Sequence, residues 1–202
     1  MAINIPGQLR DPYGKVQLDT AVTTEPLTLS EAKAHLRVTS SSDDAYISTL
    51  ITVARELVEK ETRQIWTAAT YKVSYDTFPG TDTIIIPDIT NIASITSLQY
   101  FDNNANDLTW PSSNYYLAST LPCRIVKKTA SSWPSTDSQP DNVRLKLVTA
   151  TPTGGVPKPI LQAMLLIIGH FYENRQEVAD RIYYTMPKAS EFLLTPYRNT
   201  QI

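Results

Sequence analysis

The longest nearly continuous apolar run in the chain covers residues 156–175, VPKPILQAMLLIIGHFYENR. Pro157 and Pro159 suit the first turn of a helix, because the amide each lacks would have found no intrahelical acceptor there. Ile160, Leu161, Met164, Leu165, Ile168, Phe171 and Tyr172 recur at helical spacing, while Leu166 and Ile167 carry apolar character round to the other side. A helix apolar on most of its circumference is buried on most of it. From Ile160 to Tyr172 the run is too short to cross a bilayer, and Gln162 and His170 interrupt it, so the pattern predicts a core helix covered by other elements.

Two more helices are predicted upstream. Thr28-Leu29-Ser30-Glu31 matches a capping box and opens a short helix to about Arg37. Asp43 and Asp44 place negative charge at the start of a second, whose apolar stripe is Tyr46, Ile47, Leu50, Val53, Ala54, Leu57 and Val58. Arg55, Glu56, Glu59, Lys60 and Arg63 are expected on its outer face, with the stripe packed on the long apolar helix. Residues 1–27 hold Pro6, Gly7, Pro12, Gly14 and Pro26 with little apolar periodicity, and read as an extended arm that lies on a neighbour.

Between the helices the period changes to two. Short β-type runs are predicted at 69–78, 83–86, 94–101, 115–118, 124–127 and 143–148, with clean alternation at Tyr71, Val73, Tyr75 and at Val143, Leu145, Leu147. Phe78-Pro79-Gly80 and Asp102-Asn103-Asn104 suit tight or left-handed corners, and residues 129–142 form a Ser/Pro/Asp-rich loop. Trp110, Trp133, Tyr115 and Tyr116 are expected to fill or edge the sheet core. After Arg175 comes a last short helix at 189–194, between Pro187 and Pro196. The fold class is therefore α+β. A small α-helical bundle at 28–65 and 156–178 carries an inserted, mainly antiparallel β-region at 66–155, with the arm at 1–27 and a docking segment at 179–202.

Composition narrows the chemistry. Eighteen basic and twenty acidic residues in 202 give a net charge of −2, which supplies no field to hold nucleic acid or an anionic membrane. The single Cys123 excludes an intrachain disulfide and reads as a small hydrophobe, and the first residues show no signal-peptide pattern, so synthesis in the cytosol is expected. The only histidines, His35 and His170, stand in no Cys-His or Glu-x-x-His pairing, so no catalytic, metal or cofactor site is expected. His170 reads as a partly buried histidine bonded to a neighbouring group. Glu173 and Arg175 are a candidate functional pair or, equally, charges that cap a helix end in solvent or on an interface. Gly154-Gly155 lacks the GK[ST] of a phosphate loop and reads as a turn.

Three stretches taken in order carry a family resemblance: PLTLSEAKAHLR at 26–37, the Asp43-Asp44 helix ending in Glu61-Thr62-Arg63-Gln64, and the late helix ending in His170-Phe171-Tyr172-Glu173-Asn174-Arg175. Together they resemble the head-to-tail connector (adaptor) proteins of tailed bacteriophages, in the longer variety with a β-insertion. The resemblance spans roughly residues 26–198. It implies a virion structural protein of the neck, forming a ring of about twelve copies under the portal. DNA would pass through the bore without specific binding, and a tail or stopper protein would assemble on the other face. The residues expected to pack or line the ring interface are Leu166, Ile167, His170, Glu173 and Arg175; the expected portal-docking residues are Phe192, Leu193, Leu194, Tyr197 and Arg198. No membrane partner is implied. The alternatives are a DNA-recognition subunit of a packaging complex, reading residues 28–63 as a helix-turn-helix, and an enzyme or carbohydrate-binding module with Trp110 and Trp133 as a stacking platform. The balance of Arg55, Lys60 and Arg63 against Glu56, Glu59 and Glu61 argues against the helix-turn-helix.

Overall fold

The computed structural model describes residues 14–20, 22–137, 139–175 and 188–199. Residues 1–13, the first part of the expected arm, and the stretch 176–187 lie outside the described residues. The chain divides into two compact units, one built from 22–67 with 151–199 and one from 14–20 with 68–150.

The first unit is helical. Its elements are α1 (Leu29–Leu36), α2 (Asp44–Thr62), α3 (Lys158–Glu173) and α4 (Lys188–Leu194), the last running into a 3₁₀ turn at Thr195–Tyr197. The capping box forms as expected: the Thr28 amide donates to Glu31 Oε2 at 2.8 Å and the Glu31 amide to Thr28 Oγ1 at 3.2 Å. Ile47, Leu50, Ile51, Ala54 and Val58 of α2 pack with Ile160, Ala163, Met164, Ile167 and Ile168 of α3 in one core, joined by Leu27, Ala32, Trp66 and Leu194. Helix α3 is open to solvent only at Lys158, Gln162 and Glu173, while Leu161, Leu165 and Leu166 are half-buried. The near-circumferential apolar pattern thus reports burial on most sides.

The second unit is all β. Its strands are β1 (Lys15–Thr20), β2 (Thr70–Tyr75), β3 (Thr83–Ile85), β4 (Ile92–Phe101), β5 (Asp107–Thr109), β6 (Tyr115–Ala118), β7 (Arg124–Lys127) and β8 (Val143–Thr149). Five make an antiparallel sheet in the order β1-β2-β8-β4-β5, and three make a second in the order β3-β7-β6. Paired residues Val73↔Leu145, Tyr75↔Val143 and Leu145↔Leu98 put one face of the larger sheet into the core. The Tyr75 hydroxyl donates to the Ile85 carbonyl, and Phe78 contacts Tyr100, Trp110 and Trp133, so aromatic side chains tie the two sheets together.

Two expectations change here. Residues 15–20, expected within an arm, pair as β1 along β2, with Lys15 opposite Ser74 and Val16 opposite Val73. Its six residues are all exposed, so the strand is held by main-chain pairing at a sheet edge rather than by burial of an apolar face. At its start, a Cβ on Gly14 would fall 2.5 Å from the Tyr75 ring and 2.7 Å from Val73, so only glycine allows this close approach. The second change concerns α2. Arg55 and Glu59, expected on the outer face, are only 5% and 8% exposed and lie inside the helical unit.

Candidate functional site

The last turn of α3 carries the His-Phe-Tyr-Glu-Asn-Arg ending, and its side chains converge on the start of α2. Tyr172 Oη donates to Asp43 Oδ2 at 2.5 Å and Arg175 Nη2 donates to the same oxygen at 2.8 Å. The Arg175 guanidinium lies 4.7 Å from the ring centres of both Tyr46 and Tyr172, and the Tyr46 hydroxyl donates to the Phe171 carbonyl. Glu173 points to solvent, and Arg175, past the non-helical C-cap Asn174, is committed to Asp43. The Tyr172 hydrogen bond, then the Arg175 bond, hold the Asp43 carboxyl below the ordinary carboxylate value. A depressed carboxylate contributes stability above its unfolded pKa and loses it as pH falls through the folded one. Asp43→Asn should therefore lower Tm at neutral pH and lose this advantage below about pH 4, where wild type and variant converge. Thermal melts across pH 3–7 check this; a constant gap would show that Asp43 acts without its charge.

The proposed ring contacts separate into two groups. Ile167 is 1% exposed within the helical core and offers nothing to a neighbour, and Arg175 is taken by Asp43. Leu166, His170 and Glu173 remain, half-buried, half-buried and exposed, and their i, i+4, i+7 spacing sets them along one stripe of α3.

The carboxy-terminal segment is more committed to its own chain than the sequence suggests. Leu194 is fully buried in the helical core and so is unavailable to a portal. The Tyr197 ring stands edge-on to Trp66 at 6.1 Å, and its carbonyl accepts from the Gln64 side chain. Arg198 pairs with Glu61 and with Glu191, so its charge is used within the chain. The physical reason is that a seven-residue helix gains its stability by packing, and here the surface it packs on is α2 and α3. Phe192 is 79% exposed, while Leu193 is half-buried against the helical core.

Sequence reasoning missed the polar cluster beneath α2. Arg55 Nη1 donates to Glu59 Oε2 at 2.7 Å and Arg55 Nε to Glu25 Oε2 at 2.9 Å, while Glu59 Oε1 accepts from the Trp66 amide at 3.1 Å and from the Thr67 hydroxyl. The i, i+4 spacing of Arg55 and Glu59 was a signal, but so it is on any solvated helix face. Only Trp66 and Glu25 folding over them make the pair buried. The arrangement is structural: its groups satisfy one another and leave no open coordination or substrate position.

Residues behind the other readings are occupied as well. Trp110 is buried and stacked on Tyr115 at 5.4 Å, and Trp133 stacks on Phe78 at 4.9 Å and donates its indole N–H to the Thr81 carbonyl, so neither is an open sugar platform. Tyr116, by contrast, is 52% exposed and stands outside that core. Arg55 is unavailable to read a DNA groove. Cys123 is buried, burial pushes its thiol pKa up, and it behaves as a small hydrophobe. Among the described residues no group of three potential metal ligands comes together, and no helix is long and apolar enough to cross a membrane.

Fold and site thus define an α+β protein of a helical unit carrying a β-insertion, whose free features are apolar and polar contact surfaces. Residues 26–94 match the phage gp6-like head-tail connector protein family. The whole fold is shared with a protein of the neck of an empty gene transfer agent (GTA) particle computed with C6 symmetry, at TM-score 0.75 and 18% identity over 93% of this chain and 97% of that one. A protein in the virion of the native GTA particle matches at TM-score 0.73 and 18% identity, over 93% and 96%. A third, in the neck of the native particle computed with C12 symmetry, matches at 0.69 and 17%, over 93% and 97%. No curated protein matches the sequence.

Proposed function

We propose that this chain is a head-tail connector (adaptor) of a tailed phage or GTA-like particle. It sits in the virion neck as a homo-oligomeric ring under the portal protein, with the tail or a stopper assembled on its other face. The observation that carries this reading is the near-full-length likeness to proteins resolved in rotationally symmetric necks, joined to the connector-family match at 26–94. A ring needs a heterologous contact, one surface of each copy against a different surface of the next. The stripe Leu166, His170 and Glu173 is one candidate surface, and Phe192 is the knob for the portal. The bore passes DNA without gripping it, as the net charge of −2 favours.

Negative-stain microscopy of the purified chain at high concentration tests the ring: closed annuli are expected, and monomers at every concentration would sink it. Co-sedimentation with portal rings tests the knob. Phe192→Ser should remove binding with circular dichroism unchanged, since the side chain is exposed.

A further inference from the structure

The five-stranded sheet ends in two free edges. Among the described residues nothing pairs with the outer side of β1 or of β5. Long unprotected edges are templates for further strands, and proteins normally cover or charge them. Here both edges instead present apolar side chains. Val16 is 37% exposed, Leu18 50% and Leu108 40%, and these are three of the six large hydrophobic residues exposed in the described chain.

Register puts all three on the same face. Val16 lies opposite Val73 and Leu18 opposite Tyr71 on β2; these lie opposite Leu145 and Leu147 on β8. On the far side Val143 lies opposite Tyr100 of β4, and Tyr100 opposite Leu108 of β5. Partners in a ladder share a face, so the core face of the sheet runs out to solvent at both edges. The charges beside these residues are already used on the chain itself: Lys15 with Asp141, Asp19 with Lys146, and Asp107 with Arg144. Neither edge repels an incoming strand.

We infer that β1 of one copy joins β5 of the next, so that the sheet continues from copy to copy round the ring. This rests on the ring reading above. The two edges are different surfaces of one molecule, which is what a heterologous contact requires. Four successive antiparallel steps separate β1 from β5, so the two strands run in the same direction within a copy. A rotation that carries one sheet into line with the next preserves that direction, and the junction is a short parallel pair. Leu108 then meets the Val16 and Leu18 side chains, and the core face closes over both. Three residues on β5 limit each junction to a few hydrogen bonds, so it holds only as one contact within a closed assembly.

The full chain with Val16→Cys and Leu108→Cys tests this, because the single native thiol, Cys123, is buried. Oxidised under ring-forming conditions and run without reductant, the double variant should give a ladder of covalent species up to the closed ring. Each single variant should give none. Annuli in the microscope with no ladder from the double variant would overturn the edge junction and leave the ring reading standing. Dimers from Val16→Cys alone would overturn it in favour of a two-fold β1–β1 contact. Monomers throughout would overturn the ring reading and the junction with it. In a second variant, Leu18→Lys with Leu108→Lys, the monomer's circular dichroism should be unchanged and the concentration needed for assembly should rise severalfold; unchanged assembly would count against the junction.

Discussion

Ile167→Asp is expected to unfold the helical unit at neutral pH, whereas Leu166→Asp, one residue away, should leave the monomer folded. Ile167 is 1% exposed and packs among the α2 and α3 core residues, so the substitution removes a full isoleucine burial of roughly 2 kcal/mol. It also leaves an unpaired carboxyl in an apolar setting, which costs several kcal/mol more unless it is protonated. Against a total stability of about 5–15 kcal/mol, the sum is enough to lose the unit. Leu166 sits on the half-buried stripe with His170 and Glu173, where a carboxylate keeps contact with water. Any effect there should appear in assembly instead. Urea denaturation followed by far-UV circular dichroism separates the two: a cooperative transition near the wild-type midpoint for Ile167→Asp would mean that α3 is not the buried element of this fold.

That contrast also shows what could be read from the sequence. The apolar excess of α3 gave its place at the centre of the helical unit, and the capping box at Thr28–Glu31 gave the start of α1 to the residue. Period-two alternation located β2 and β8, because each buries one face and leaves the other polar. Strands β1 and β5 were not legible for the opposite reason. Edge strands stabilised by main-chain pairing are short and bury little: β5 has three residues, and the Val16/Leu18 alternation of β1 spans only two apolar positions after a stretch dense in proline and glycine. The partner of the segment at 192–198 was not legible, since an isolated short apolar helix looks the same whether its partner is another protein or its own chain. Leu193, Leu194, Tyr197 and Arg198 find partners within the chain, and Phe192 stays exposed. The Asp43–Tyr172–Arg175 clamp lay hidden because Asp43 is over a hundred residues from the other two in sequence.

The largest departure from the sequence pattern makes the other strong prediction. Removing Arg55 should destabilise the helical unit by about 3–5 kcal/mol at pH 7, because it strands Glu59 as an uncompensated buried charge. Burial already pushes the Glu59 carboxyl above its ordinary value, against the pull of the Trp66 amide and of Arg55. A group whose pKa is raised by folding stabilises the fold when protonated, an advantage fully present below its unfolded value and lost as pH rises through the folded one. At neutral pH ionised Glu59 is therefore a cost, and Arg55 is the group that limits it. Without Arg55 the carboxyl should rise further and take up a proton more readily. The stability gap between Arg55→Met and wild type should accordingly be widest near pH 7 and narrow toward pH 4, where Glu59 protonates in both proteins. Glu59→Gln added to Arg55→Met should recover a large part of the loss, since the amide keeps an acceptor for the Trp66 N–H and carries no charge. Urea midpoints for the three proteins between pH 4 and 8 decide the matter. A gap that stays constant with pH, or a double variant no more stable than Arg55→Met, would show that Arg55 acts through packing of its stem and its bond to Glu25 rather than by compensating Glu59.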